Sequence, residues 1–244
     1  MLINFKILFS LFIAPFALAN SNRVLLVGDS HTVGSFGDAL KKEVGSNLHA
    51  YGVVGISAPW YLRDPVCGGG NCPWKLGYRT PKEVVEYGKM LPAKFPGLQS
   101  LLDDVDPKMV IVELGTNDAG NCSSSNPAEK MLAMVKMIRG KGIPCFWVGP
   151  PVYLRGSAPY GACGERYNSF VDKILNAIEG AGCKFIDSRH IRDPQKQNPE
   201  CGNAENWKNP DPKVNCSIQN DIDQYHFGDR LGAVWAQGVM RQIR

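Results

Sequence analysis

The sequence predicts an α/β fold in which helices cover both faces of a five-stranded parallel sheet. The chain has 244 residues, of which 44% are apolar, so it can bury a core and suits a single α/β domain. Five short apolar runs recur, each continuous rather than alternating, as in strands that are buried on both faces. Amphipathic stretches separate these runs, and this alternation is typical of a doubly wound parallel sheet.

In chain order, the apolar runs predict strands at residues 24–27, 48–53, 109–113, 144–148 and 184–186. The amphipathic stretches predict helices at residues 36–44, 98–105, 128–139, 165–179 and 228–243. Pro127 supports the start of the third helix, because proline is favoured in a first helical turn. Two long segments, residues 58–82 and 188–221, lack either pattern and are expected to be ordered loops, because they contain cysteines.

Residues 1–19 have the features of a secretory signal peptide. Lys6 supplies a positive charge, an apolar run follows, and Ala17-Leu18-Ala19 matches an A-x-A cleavage site. The run is shorter than the roughly 20 residues of a membrane-spanning helix, so we expect cleavage rather than an uncleaved anchor. The mature chain would then be one domain over residues 20–244, secreted or periplasmic, without stable membrane insertion. The full chain has a net charge of only +4, and its sequence lacks the dense basic runs of a nucleic-acid-binding protein.

All eight cysteines lie in the part of the chain expected to be exported, and an even number in such a chain predicts disulfides. No pair of CxxC elements is present to predict a zinc site. Cys145 and Cys183 each open a predicted strand, so adjacent strands can bring them together. The expected pairs are Cys67 with Cys72, Cys201 with Cys216, Cys145 with Cys183, and Cys122 with Cys163.

Two polar motifs follow predicted strands and precede helices. Gly28-Asp29-Ser30-His31 places a serine hydroxyl at the edge of the sheet where ligands bind in this architecture. It differs from the Gly-x-Ser-x-Gly elbow of α/β-hydrolases, because Thr32 occupies the second glycine position. Gly115-Thr116-Asn117-Asp118 follows the third strand, and Asn117 could either donate its amide to an oxyanion or complete a turn.

A third motif, Asp223-Gln224-Tyr225-His226, lies just before the last helix. Its spacing lets the Asp223 carboxylate orient the His226 imidazole, which is the arrangement that activates a serine nucleophile. The other three histidines fit this role less well. His49 lies in a predicted strand, His190 lies in a loop, and His31 adjoins Ser30 and is expected to point away from it.

Together these motifs resemble those of the SGNH/GDSL hydrolase family, from Ser30 to His226. The resemblance implies a flavodoxin-like three-layer αβα sandwich, with Ser30 as nucleophile and Asn117 as an oxyanion donor. The family's second motif contributes a glycine N–H, for which Gly55 is the match and Gly52 the alternative. The sequence departs from the family at His31, where many members carry leucine, and in its cysteine-bearing loops.

The resemblance implies a carboxylic ester hydrolase with a Ser30–His226–Asp223 triad that needs neither metal nor organic cofactor. The oxyanion hole would consist of the Ser30 and Gly55 N–H groups and the Asn117 amide. We expect a monomer that acts on an acylated small molecule or an envelope polysaccharide. The acyl groups are expected to be short, O-acetyl foremost, because the Gly-, Pro- and Asn-rich loops indicate no long apolar channel. Aromatic residues near the predicted edge either bind flat sugar faces or anchor loops, and the candidates are Trp60, Trp74, Tyr153 and Tyr225.

Three alternatives stay open at this point. An O-acyltransferase would use the same acyl-enzyme but pass the acyl group to a sugar hydroxyl. A lipase or thioesterase would prefer longer acyl chains. A non-catalytic glycan-binding module would have no use for the retained combination of Ser30, Asn117, Asp223 and His226.

Overall fold

A sheet of five parallel strands forms the centre of the protein in the computed structural model, which describes residues 22–66, 95–119, 127–153, 166–195, 218 and 226–244. The predicted signal segment lies outside these residues. The strands are β1 (Val24–Gly28), β2 (Leu48–Gly52), β3 (Met109–Glu113), β4 (Cys145–Val148) and β5 (Lys184–Ile186). The predicted parallel α/β fold is therefore confirmed.

The strand order is β2-β1-β3-β4-β5, with β1 between β2 and β3. Val24 of β1 lies opposite Leu48 of β2 on one side and Met109 of β3 on the other. The chain thus places β2 on one side of β1 and then returns to place β3, β4 and β5 on the other side. Ligands of doubly wound sheets bind beyond the carboxyl ends of the strands at such a reversal, here between β1 and β3.

Within the described residues, five α-helices have eight residues or more and three consist of a single turn. In chain order they are α1 (Ser30–Val33), α2 (Ser35–Val44), α3 (Ala58–Tyr61), α4 (Leu98–Val105), α5 (Thr116–Ala119), α6 (Pro127–Gly140), α7 (Arg166–Gly180) and α8 (Asp229–Ile243). The five longer helices match the predicted stretches within one residue at every end. The single turns α1, α3 and α5 were not predicted, because four residues are too few to display a helical period. The segment predicted as a loop from residue 58 accordingly begins with a helix.

Two apolar clusters cover the two faces of the sheet, as the alternation of side chains along a strand requires. Leu25 and Val27 of β1 belong to the cluster that contains α4, α6 and α7. Leu26 belongs to the cluster that contains α2 and α8, in which Trp235 is fully buried. No helix among the described residues is both long and apolar enough to span a bilayer.

A disulfide joins Cys145, the first residue of β4, to Cys183, which precedes β5. This confirms one of the predicted pairs, and it links two adjacent strands at their amino ends. The other six cysteines lie outside the described residues: Cys67, Cys72, Cys122, Cys163, Cys201 and Cys216.

The close approach of α2 to the turn that follows β1 depends on Gly37. A Cβ at this position would lie 1.8 Å from the Thr32 backbone oxygen. Gly37→Ala is therefore expected to lower the free energy of unfolding by about 1–3 kcal/mol, because the backbone must shift. Gly140→Ala, whose Cβ would meet nothing within 4 Å, should change it by about 1 kcal/mol or less. Urea denaturation followed by circular dichroism measures both, and equal stabilities would contradict the prediction.

Candidate active site

The carboxyl ends of β1, β2 and β3 bring three predicted site segments to one edge of the sheet. Asp29 and Ser30 follow β1, Gly55 follows β2, and Asn117 follows β3. Because β1 lies between the other two strands, these segments are neighbours in space. They lie at the reversal of strand order, where this architecture binds ligands.

Ser30 begins the single helical turn α1, and local hydrogen bonds hold its backbone in place. Asp29 is the N-cap residue, and its carboxyl oxygen Oδ1 accepts from the His31 N–H at 3.0 Å. The Gly34 N–H donates to the Ser30 carbonyl at 2.9 Å. Ser30 is 8% exposed and thus lies at the margin of the core.

The Asn117 side chain connects the turns that follow β1 and β2. Its Nδ2 donates to Asp29 Oδ2 at 3.0 Å and to the Ile56 carbonyl at 2.8 Å. Asp29 precedes Ser30 and Ile56 follows Gly55, so the amide lies between the two segments that carry the other predicted oxyanion donors. Both hydrogens of the amide are donated within the protein. An oxyanion would therefore share one of them in a three-centre hydrogen bond, an arrangement that is common in proteins.

The two glycines considered for the second motif occupy different environments. Gly55 is exposed, lies in the turn where the Ile56 N–H donates to the Val53 carbonyl, and has a φ of +79°, a value that favours glycine. Gly52 is buried as the last residue of β2, opposite Gly28 of β1. An exposed N–H at the edge of the sheet is what an oxyanion donor needs, so the geometry favours Gly55.

His226 lies beside the Ser30 segment although it comes from the far end of the chain. Its ring centroid is 5.6 Å from that of His31, with an interplanar angle of 61°. The carbonyl of the next residue, Phe227, accepts a hydrogen bond from Ser35 Oγ at 2.7 Å, which holds this segment against the start of α2. Asp223, the predicted partner of His226, lies outside the described residues.

His31 is itself buried, and sequence reasoning did not anticipate its contacts. Its Nε2 lies 3.1 Å from Tyr153 Oη, which lies 2.9 Å from Thr116 Oγ1. The Trp235 ring packs edge-on against His31, with centroids 5.1 Å apart. The residue after the candidate nucleophile is therefore held by α5, α8 and the segment after β4, and its ring contacts that of His226.

Two of the four aromatic residues predicted to bind substrate lie within the described residues. Tyr153 is only 2% exposed and its hydroxyl faces His31 and Thr116, which leaves little of its side chain for a substrate to contact. Trp60 is half-buried against the core, and the guanidinium of Arg63 covers its ring at 3.9 Å from the centroid. This packing favours the loop-anchoring role for Trp60. Trp74 and Tyr225 lie outside the described residues.

Three buried carboxyl groups surround the candidate site, and burial raises the pKa of each. The pKa of Asp29 rises to about 7 and that of Asp118 to about 6. The pKa of Glu113 lies well above its usual value, through burial and then through the charge of Asp29. In the sequence, Glu113 is predicted only to end a strand. A charged residue that closes an otherwise apolar run is the signal that could have identified it.

Comparison with known proteins agrees with this geometry. The profile of the GDSL-like lipase/acylhydrolase family matches residues 26–211, which is more than half of the chain. The matched segment contains Ser30, Gly55 and Asn117 and ends before His226. Among curated protein sequences, none matches this chain significantly.

Solved structures share the fold at low sequence identity. A proposed acylhydrolase from Bacteroides fragilis NCTC 9343 is 14% identical, with a TM-score of 0.56 over 92% of this chain and 87% of the other. A GDSL-like lipase from Bacteroides thetaiotaomicron VPI-5482 is 12% identical, with a TM-score of 0.54 over 91% of this chain and 87% of the lipase. The acetyl xylan esterase AlAXEase is 14% identical, with a TM-score of 0.55 over 91% of this chain and 99% of the esterase. The fold and the family match agree, and the chain therefore belongs to the GDSL-like lipase/acylhydrolase family of ester-hydrolysing enzymes.

Proposed function

We propose that this chain is an exported serine esterase that removes short acyl groups, acetyl foremost, from carbohydrate of the cell envelope. One observation carries the proposal: the Asn117 amide bonds to the turn before Ser30 and to the turn that contains Gly55. His226 lies against the neighbouring His31. The residues proposed as nucleophile, base and oxyanion donors thus lie at one edge of the sheet, which supports acyl transfer as the reaction.

In the first half of the proposed reaction, His226 removes the proton of the Ser30 hydroxyl and Ser30 Oγ attacks the acyl carbonyl carbon. The carbonyl electron pair moves to the oxygen, which accepts hydrogen bonds from the Ser30 and Gly55 N–H groups and the Asn117 amide. Asp223 orients the imidazole and stabilises its charged form. The intermediate then breaks the bond to the alcohol oxygen, which takes the proton from His226.

In the second half, a water molecule gives a proton to His226 and attacks the carbonyl carbon of the acyl-enzyme. The bond to Ser30 Oγ breaks, Ser30 regains its proton from His226, and the carboxylic acid leaves. These steps balance with water as the second substrate.

The envelope substrate is inferred from the compartment and from the loops. A disulfide between Cys145 and Cys183 supports an oxidising compartment, and the amino-terminal segment supports export. The loops are rich in glycine, proline and asparagine, which supports a small acyl group over a long apolar chain. The fold also occurs in an acetyl xylan esterase, AlAXEase.

Chain-length selectivity tests this proposal directly. With p-nitrophenyl acetate, butyrate and octanoate, we expect kcat/KM to be highest for acetate and lower by about tenfold or more for octanoate, because a small site excludes extra methylenes. The oxidised protein should also release acetate from an acetylated glycan. Ser30→Ala gives the background rate in each assay.

Other outcomes would replace the proposal. A preference for octanoate would indicate a lipase-like enzyme. Acetyl transfer to an added glycan without release of acetate would indicate a transferase. Glycan binding without turnover of any ester would indicate a binding module.

A further inference from the structure

Glu113 places a carboxyl group next to the turn that carries Ser30, and no step of the proposed reaction uses it. It ends β3, pairs in register with Gly28 of β1, and is 1% exposed. Its Oε2 accepts from the Asp29 N–H at 3.3 Å and from Thr32 Oγ1 at 3.0 Å. A Cβ at Gly28 would lie 2.7 Å from this oxygen, so the carboxyl group occupies space that the glycine leaves.

Asp29 connects Glu113 to the candidate oxyanion donor. Its Oδ1 accepts from the His31 N–H, and its Oδ2 accepts from Asn117 Nδ2, both at 3.0 Å. Its backbone N–H donates to Glu113 Oε2, and the Glu113 side chain, as a hydrogen-bond partner, lowers the pKa of the Asp29 carboxyl group. A continuous set of buried hydrogen bonds therefore runs from Glu113 through Asp29 to Asn117.

Charging both members of a pair of adjacent buried carboxyl groups near neutral pH is strongly unfavourable. Burial and then the charge of Asp29 raise the pKa of Glu113 well above its usual value, which favours a protonated Glu113 whose O–H can donate to Asp29. The neighbouring Asp118 raises the pKa of Asp29, and His226 lowers it. Two buried tyrosines among the described residues also face the pair, and burial and, to a lesser degree, the charges of both carboxylates raise their pKa values: Tyr61 and Tyr153.

We propose that Glu113 is a positioning residue that holds the Asn117 amide, through Asp29, in place for the oxyanion. This rests on the proposed function, in which Asn117 is an oxyanion donor. The proton from Glu113 fixes the Asp29 carboxylate, and the carboxylate fixes the amide. Loss of this support would let the amide move, and a displacement of about 1 Å can cost on the order of 10²-fold in rate.

Glu113→Gln separates positioning from a purely structural role. Near neutral pH it should keep most of kcat, because its amide N–H replaces the carboxyl proton as the donor to Asp29. At alkaline pH the wild type should lose kcat with KM little changed, since ionised Glu113 repels Asp29. Glutamine cannot ionise, so this alkaline loss should disappear. Glu129→Gln, the same change at an exposed position of α6, should keep the wild-type profile.

Two further variants keep the test valid even if one of them does not fold. Glu113→Leu has no proton to donate and should lower kcat by about 10- to 10²-fold, an effect on positioning and not on affinity. If Glu113→Leu does not fold, Thr32→Val replaces it. The Thr32 hydroxyl lowers the pKa of Glu113 by bonding to its carboxylate, so its removal should move the alkaline loss to higher pH.

A nuclear magnetic resonance measurement tests the same link without turnover. The Asn117 side-chain amide signal, assigned by its loss in Asn117→Ala, should shift over the alkaline range in the wild type and stay constant in Glu113→Gln. An unchanged signal in the wild type, or an alkaline loss of kcat that Glu113→Gln retains, would overturn the proposal. Failure of the proposed function would appear differently, as a wild type with no Ser30-dependent hydrolysis.

Discussion

Ser30→Ala is expected to abolish ester hydrolysis while the protein stays folded. The variant has no oxygen to form the acyl-enzyme, and loss of a triad nucleophile lowers kcat by at least about 10³-fold. Within the described part of the chain, the Ser30 hydroxyl makes no hydrogen bond, so its removal leaves no buried partner unsatisfied. Alanine also fits the helical turn α1.

The measurement is kcat for p-nitrophenyl acetate together with the midpoint of thermal unfolding. Ser46→Ala is the matched control, because Ser46 is exposed in the 3₁₀ turn before β2, at the opposite edge of the sheet. A fluorophosphonate should label the wild type and Ser46→Ala but not Ser30→Ala. Hydrolysis that persists without Ser30 would mean that another group is the nucleophile.

Asn117→Ala is expected to lower kcat by about 10²–10³-fold with little change in KM. Loss of one oxyanion donor costs this much, because the charge it stabilises exists only in the transition state. The substitution also removes the amide that bonds to Asp29 Oδ2 and to the Ile56 carbonyl. Without that donor, the pKa of the buried Asp29 should rise further, because a hydrogen bond to a carboxylate favours its charged form.

A second substitution distinguishes donation from packing. Asn117→Asp keeps the size of the side chain but replaces its donor by an acceptor beside Asp29, so it should be at least as harmful as alanine. Asn47→Ala is the control, since Asn47 is exposed at the opposite edge of the sheet. If Asn117→Asp kept the wild-type kcat, Asn117 would have no role as a donor.

The fold could be predicted from short-range patterns. The run at residues 109–113 is apolar at four of five positions and forms β3, buried at all but its first residue. The helices at residues 36–44 and 98–105 likewise carry their apolar residues at helical spacing. Such patterns report which faces are buried, and burial on both faces leaves few architectures other than a parallel sheet between helices.

The candidate site could be predicted only in part. The placement of Ser30 and Asn117 after β1 and β3 follows from the fold, because parallel strands end at a common edge. The contacts of His31 and Tyr153 could not be predicted, since they are 122 positions apart in the chain. Tyr153 in particular follows β4, but whether its ring faces solvent or core depends on how α5 and α7 pack around it.

The sequence by itself determined the five strands, the longer helices, the Cys145–Cys183 pair and the serine and asparagine at the edge of the sheet. These depend on local periodicity and on strand ends, which neighbouring residues specify. Only the tertiary structure decided that Glu113, Asp29 and Asn117 share one buried hydrogen-bond network and that Tyr153 supports His31. The physical reason is that the hydrogen bonds and pKa values of buried polar groups depend on residues brought together from distant parts of the chain, and no local pattern records them.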